Sequence, residues 1–353
     1  MPAVTSGKAL VTGANGFLAM WLVRKLLERG FSVRGTVRSE SKIAPLKQVF
    51  AEYGDKLEFA IVEDIAKLSA QQEGAFDEAV KGVDLIQHTA APVHLNAVEP
   101  DEQIIPAVNG TLRILESALA FGTSVKRVVY TSTCGAIREL GMTPRRFSEA
   151  DWNERAVAEV REKGREAAQL VKYQASKVLA ERAAWEFSEM NKGKMGWDLV
   201  VCNPPWILGP TLQPVSKPEE MNESMRIWYQ GFIKGTDHLG NPQKKEFFTT
   251  FGMTWIDVRD AADALIVAAE KEETAGERII MSSGPWKGQD ILNAARKFYP
   301  NVPVGDETYD PATTTHLTTF DTSKADRLLG QKYLTLEEST RDILEQFKSK
   351  GWI

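Results

Sequence analysis

The sequence predicts a doubly wound, parallel α/β sheet with a smaller, discontinuous α+β unit. Three observations lead there: short apolar, β-branched runs alternate with stretches of helical period, the first run enters a glycine-containing turn, and the rhythm breaks after Trp206. A length of 353 residues suggests roughly two domains and suffices for a buried core without metal or disulfide support.

Strands are expected at 8–12, 31–37, 57–62, 84–89, 126–132 and 197–203, with helices near 16–29, 41–53, 72–81, 102–121 and 173–191. Near-continuous apolar strands alternating with helices imply a parallel sheet covered on both faces. Right-handed crossovers then bring the loops that follow the strands to one edge, where such sheets bind ligands. Pro204, Pro205, Pro210, Pro214 and Pro218 crowd the next segment, which leads into an amphipathic stretch, Met221–Lys234. A helix at 257–271 and a strand at 277–283 resume the alternation, and helices near 288–298, 322–329 and 335–348 close the chain. The sheet unit accordingly takes 1–204 and 254–284, and the smaller unit takes 205–253 and 285–353.

Composition excludes several classes. With 43 basic against 48 acidic residues the net charge is -5, which offers no cation excess for nucleic acid. No apolar run approaches the ~18 residues of a membrane span, and Met1–Gly13 lacks the layout of a signal peptide. A cytosolic location without membrane partner is expected, and Cys134 and Cys202, the two cysteines, fit a reducing compartment. The four histidines, His88, His94, His238 and His316, show no metal-ligand spacing, so no metal is expected.

After the first strand comes Thr12-Gly13-Ala14-Asn15-Gly16-Phe17-Leu18-Ala19, then a helix with Leu22, Val23, Leu26 and Leu27 on its apolar face. Glycines here let the backbone turn tightly and approach a pyrophosphate, while the helix N-terminus directs free N–H groups at the anion. The spacing, G-x-x-G-x-x-A, departs from the strict dinucleotide fingerprint in its first gap. A site selective for NAD would place an acid near the end of the second strand to take the ribose hydroxyls. Here Val33-Arg34-Gly35-Thr36-Val37-Arg38-Ser39 has none before Glu40, whereas Arg38 offers a planar fork and Lys42 a point charge to a 2'-phosphate. NADPH is the expected cofactor. Farther on, Tyr173 and Lys177 lie four apart at the head of a helix, so they share a face, and hydroxyls at Thr131-Ser132-Thr133 end the preceding strand on the ligand edge.

Together these features resemble the extended short-chain dehydrogenase/reductase superfamily, whose fold is of the Rossmann type. Within it, the sequence is similar to fungal NADPH-dependent aldehyde and ketone reductases related to dihydroflavonol and cinnamoyl-CoA reductases. The likeness covers most of the chain: VTGANGFLA (11–19), VRGTVRS (33–39), the VED run ending at Asp64, HTAAP (88–92), VNGTL (108–112), VVYTST (128–133), YQASK (173–177), NPPWILGP (203–210), WIDVRDAADA (255–264), GQDIL (288–292) and FDTSKADRLLG (320–330).

The resemblance implies roles. Tyr173 would be the general acid toward a carbonyl oxygen, Lys177 would lower the phenol's pKa and hold the nicotinamide ribose, and Thr133 would steady the oxyanion. Ser132 stays open as an alternative to Thr133, although it should alternate to the other side of the strand. The implied cofactor contacts are Thr12, Gly13, Asn15, Gly16, Phe17, Leu18, Arg38, Lys42, Asp64, Ile65, Thr89, Ala90, Ala91, Tyr173, Lys177, Pro204 and Trp206, with Asp64 accepting from the adenine amine. Asn109 matches an Asn of the central helix, ordering water or fixing the backbone.

An apolar pocket is expected from Pro92, Val93, Ile137, Trp206, Met225, Trp228, Tyr229 and Phe232, although Met225, Trp228, Tyr229 and Phe232 also carry the helical period of a core stripe. Such a pocket suits a hydrophobic or aromatic aldehyde or ketone, taken by a monomer or homodimer. Alternatives are a reductase of an acyl-CoA or flavonoid-type substrate, a nucleotide-sugar epimerase or dehydratase, and a non-catalytic NADPH-binding regulator. The run before Lys177, Gln169-Leu170-Val171-Lys172-Tyr173, lacks the Asn-Trp-Tyr-Cys-Tyr of cinnamoyl-CoA reductases, and Cys134-Gly135 stand where dehydratases place acids.

Overall fold

A computed structural model describes residues 3–66, 74–91 and 96–353. Its main sheet has seven parallel strands: β1 (Lys8–Val11), β2 (Ser32–Val37), β3 (Leu57–Ile61), β4 (Leu85–His88), β5 (Arg127–Thr131), β7 (Asp198–Asn203) and β10 (Arg278–Ile280), in the order β10-β7-β5-β4-β1-β2-β3. The order reverses between β1 and β4, so the loops after these two strands flank the crevice where an open parallel sheet takes its ligand.

Alternation along the strands explains the layers. Val11, Val129 and Val200 face α1 (Phe17–Glu28) and α8 (Val258–Glu270), packing with Leu22, Leu26, Leu265 and Ile266. Their neighbours Leu10, Val128 and Val201 point the opposite way, onto α3 (Asp101–Phe121) and α5 (Gln169–Met190), where Ile114, Leu115, Ala184 and Phe187 receive them. By length and composition α3 is apolar enough to cross a membrane, since Arg113 and Glu116 are the only charges in its last 18 residues. That departs from the expectation of no such run, but here α3 packs along α5 and buries Gln103, Thr111 and Ser117.

A buried guanidinium ties the far edge together. Arg127 pairs with Asp198 at 2.6 Å and donates to the carbonyls of Ala268, Ala269 and Lys271 at the end of α8. A cation suits the negative end of a helix, and this one joins β5, β7 and α8 opposite the ligand edge.

The smaller unit contains a three-stranded sheet ordered β11-β9-β8, from β8 (Trp206–Leu208), β9 (Gly252–Asp257) and β11 (Gly284–Lys287). Its core gathers Trp228, Phe232, Phe248, Trp286, Ile291 and Phe347 from α6 (Glu223–Trp228) and the helical turn after it, α7 (Lys245–Thr250), β11, α9 (Gly288–Arg296) and α11 (Leu336–Ser349). A parallel pair of three-residue strands, β6 (Arg145–Phe147) and β12 (Thr318–Phe320), completes the strands.

Several expectations change. Residues 75–82 form turns rather than the helix expected at 72–81, whose first two residues lie outside the described ones. The helix expected at 41–53 shortens to α2 (Ile43–Val49), and α4 (Glu154–Lys163), capped by the Asn153 side chain, was not expected at all. In α10 (Ser323–Leu328), Ala325 and Leu328 join the core of the large sheet, although the tail was assigned to the smaller unit.

Candidate active site

Because every strand of the main sheet runs the same way, the segments following β1, β2, β4, β5 and β7 meet at one edge. The turn after β1 is built for close approach. Gly13 has φ +67°, and a Cβ there would stand 3.2 Å from that of Ala90; on β2, a Cβ at Gly35 would come within 2.7 Å of that of Ala14. Gly13 N–H donates to Thr36 Oγ1 at 3.0 Å. At the start of α1 there is no side-chain cap and no acid in the first turn, so its leading N–H groups remain available to an anion.

Thr12 knots this turn to the loop after β4. Its Oγ1 accepts from the N–H groups of Thr89 and Ala90, each at 3.0 Å, while Thr89 Oγ1 donates to Thr12 carbonyl oxygen at 2.6 Å. With both acceptor positions of the hydroxyl used, its single proton goes to His88 Nδ1 at 2.9 Å. His88 therefore carries its own proton on Nε2. Burial, helped by the Lys177 charge, pushes it down to about 3 and keeps it neutral.

Arg38 directly follows β2 and is exposed, as is Lys42. Among the described residues neither forms an ion pair, and Glu40 between them does not neutralise either. These two free cations at the end of β2 fit a phosphate on the adenosine ribose, and the uncapped turn at Gly13–Phe17 fits the pyrophosphate. Asp64 is exposed beyond β3 with Oδ1 accepting from Ala66 N–H at 2.9 Å. Ile65 and Phe17 bury their side chains in the cores, which leaves their backbone groups for contact. Asn15 carbonyl oxygen accepts from Gln213 of the smaller unit.

Tyr173 and Lys177 occupy successive turns of α5, with Lys177 Nζ 5.9 Å from the centre of the Tyr173 ring. The Thr133 hydroxyl lies close enough to Tyr173 to lower its pKa, which places it as a donor toward the phenol oxygen, and Thr133 Oγ1 itself accepts from Gly135 N–H at 3.1 Å. Ser132 points away, donating to buried Glu181 at 2.5 Å. The strand's alternation thus separates the two hydroxyls, and Thr133 alone faces Tyr173. Desolvation pushes Tyr173 up to about 12, opposed by the Thr133 hydroxyl, because it sits deep in the cleft although part of the ring is open to solvent. Lys177 is itself brought down to about 8 by desolvation, which the charge of Glu181 opposes.

Glu181 is a residue that sequence reading passed over, although it continues the spacing Tyr173, Lys177, Glu181 along one face of α5. Its carboxylate takes Arg278 Nε at 2.5 Å, Ser132 Oγ, and Asn203 Nδ2 at 2.9 Å, and Asn203 also donates to the carbonyl of Thr133 at 3.2 Å. The network thereby links the strand end bearing Thr133 to the helix bearing Lys177.

The expected substrate wall is largely core. Ile137 packs with Cys134, Phe147, Ile280 and Phe320, while Met225, Trp228, Tyr229 and Phe232 are buried in the smaller unit, Tyr229 donating to the carbonyl of Trp352. Helical period marked a face seeking apolar contact, and the partners it found were α9 and α11. Pro92 and Val93 lie outside the described residues. Pro204 is buried, its carbonyl accepting from Cys134 N–H, and Trp206 is partly open, stacked on Trp286 at 5.5 Å and edge-on to Phe251. Phe251 in turn lines a cavity of about 270 Å³ that includes Arg138, Leu170, Met253, Lys287 and His316. A second concavity, of about 320 Å³ beside Tyr299, Glu345 and Ile353, contains none of these groups. Both cysteines are buried, with their thiols pushed up by desolvation, and are inert by this measure.

Residues 9–282 match the NAD dependent epimerase/dehydratase family. The chain belongs to that family. Family members of known activity resemble it along nearly their whole length. The NADPH-dependent methylglyoxal reductase of Saccharomyces cerevisiae is 33% identical over 347 residues, 95% of this chain and 96% of that protein. A ketoreductase of Aspergillus niger is 34% identical over 351 residues, 96% of each chain. The crystal structure of yeast methylglyoxal/isovaleraldehyde reductase complexed with NADPH superposes with a TM-score of 0.84 at 30% identity, covering 98% of this chain and 100% of that one. Within the family, then, this member aligns along nearly its whole length with a methylglyoxal reductase and a ketoreductase.

Proposed function

We propose that this protein is an NADPH-dependent carbonyl reductase, converting an aldehyde or ketone to an alcohol with Tyr173 as proton donor. The observation that carries the reading is the hydroxyl pair of Tyr173 and Thr133, set on the same sheet edge as the Gly13 turn and within one helical turn of Lys177. NADPH, when bound, supplies the hydride to the carbonyl carbon. Phenolic Tyr173 is fully protonated near neutrality, as a donor must be, and Thr133 offers a second hydrogen bond to the oxygen on which negative charge develops. Lys177 holds its positive charge up to about pH 8, facing Tyr173 and available to the ribose hydroxyls.

Arg38 and Lys42 select the phosphorylated cofactor, which favours an exchangeable NADPH and net reduction over the retained NAD of an epimerase. Residues 1–204 and 254–284 hold the cofactor, and the remainder shapes the substrate end. Two buried thiols suit a reducing compartment, and a cytosolic location belongs to this reading.

Purified protein is expected to oxidise NADPH with a panel of aromatic and aliphatic aldehydes and ketones, much faster than NADH. A silent panel overturns the proposal. For Arg38→Ala, NADPH affinity should weaken by about 10- to 100-fold, the worth of a charge-assisted pair, with little change for NADH. Equal losses for both nucleotides, measured by fluorescence titration, would assign Arg38 to structure instead.

A further inference from the structure

The cavity beside α5 is not uniformly apolar. Arg138 comes five residues after Thr133, on the turn that leaves the ligand edge, and Leu170, one helical turn before Tyr173, lines the same cavity. Leu140, Phe251 and Met253 supply the apolar lining. Among the described residues the Arg138 guanidinium has one polar partner, the thioether of Met253, 3.7 Å from Nη2. Among the described residues it forms no ion pair, and burial lowers its pKa against the influence of Cys134. Nearby, Lys287 donates to the carbonyl of Thr250 at 3.0 Å, and Asp290, the acid nearest Lys287, accepts from the Lys287 N–H and from Tyr309 Oη. His316 completes the polar side, its pKa lowered by desolvation and by the Lys287 charge.

A half-buried guanidinium in a cavity wall, with no counter-ion among the described residues, is partly desolvated, and an anion that meets it there recovers that cost. We propose that the substrate is an oxo acid, a carbonyl compound whose carboxylate is held by Arg138 while its carbonyl end reaches Tyr173. The inference rests on the carbonyl-reductase reading and names the substrate class within it. A single planar fork matches one carboxylate, held bidentately. A polyphosphate carrier such as coenzyme A would need more cations than Arg138 and Lys287, the two that line this cavity. The volume agrees, since a roughly 150 Å³ apolar cavity takes benzene, and this one leaves room for substituents.

The test compares matched acids and esters at saturating NADPH: 4-formylbenzoate with its methyl ester, and 4-oxobutanoate with its methyl ester. For at least one pair, kcat/KM should favour the acid by about tenfold or more, chiefly through KM, and the advantage should shrink as salt is raised. Arg138→Met should bring the acid-to-ester ratio down to about one, and Arg138→Lys should leave it between the two. The proposal is overturned if wild-type enzyme reduces both esters as well as their acids, a comparison that does not depend on any variant folding. It is also overturned if Arg138→Met slows acid and ester alike. Neutral aldehydes turned over while all four compounds are refused would overturn this inference and leave the carbonyl-reductase reading standing; no carbonyl turned over at all would remove both.

Discussion

Tyr173→Phe is expected to lower kcat by about 10²-fold or more while NADPH binds much as before. The substitution keeps the ring, and with it the packing beside Lys177, but deletes the one hydroxyl that faces Thr133. Ser132 cannot substitute, because its hydroxyl is committed to Glu181 on the other side of the strand. His88 cannot either, being neutral and holding the Thr12 proton at Nδ1. A residual rate is expected from hydride positioning and from the Thr133 hydrogen bond. Stopped-flow measurement of the chemical step, with cofactor affinity measured in parallel, checks this; a variant with unchanged turnover would remove Tyr173 from the mechanism.

The second large effect concerns Glu181. Its carboxylate is fully buried and answers Arg278, itself only 7% exposed, so Glu181→Ala would strand that guanidinium together with Ser132 and Asn203. Removing one partner of a buried pair costs about 3–5 kcal/mol, which chemical denaturation should show as a lower midpoint. The milder Glu181→Gln keeps hydrogen bonding and discards the charge, and it carries a separate signature. In the wild type, desolvation brings Lys177 down to about 8 while Glu181 holds it up, so kcat/KM should fall as pH rises past about 8 and the ammonium is lost. Without the Glu181 charge desolvation is unopposed, and that alkaline limb should move to lower pH. Tyr173, up at about 12, does not interfere in this range. An alkaline limb that stays in place in Glu181→Gln would show that Glu181 serves stability alone.

What could be read in advance follows from what is local. The Gly13 turn, the missing acid after β2 and the Tyr173–Lys177 spacing are each set within a few residues, and the structure finds them on one edge. Glu181 shares that helical spacing, yet its importance depends on Arg278, 97 positions away, and spacing alone gives no sign of it. Arg138 is the converse case. In sequence it is one charge among 43 basic residues, and its meaning comes from its having no ion pair among the described residues after folding. The strands β6, β8 and β12 have three residues each, too few to show a period, and α4 was hidden by its charges even though Asn153 announces its cap. Met225, Trp228 and Tyr229 displayed a clear apolar face, but periodicity cannot distinguish a wall from a core.

The Thr12 knot has a consequence for the timing of cofactor capture. Its hydroxyl joins the loops after β1 and β4 through three hydrogen bonds that use only groups of the protein. Thr12 and the backbone of Thr89 and Ala90 are thus held to one another by the protein's own groups, and little conformational entropy remains to be lost at these residues on binding. Substituting Thr12 should accordingly slow cofactor capture, since the two turns it joins would then have to settle together.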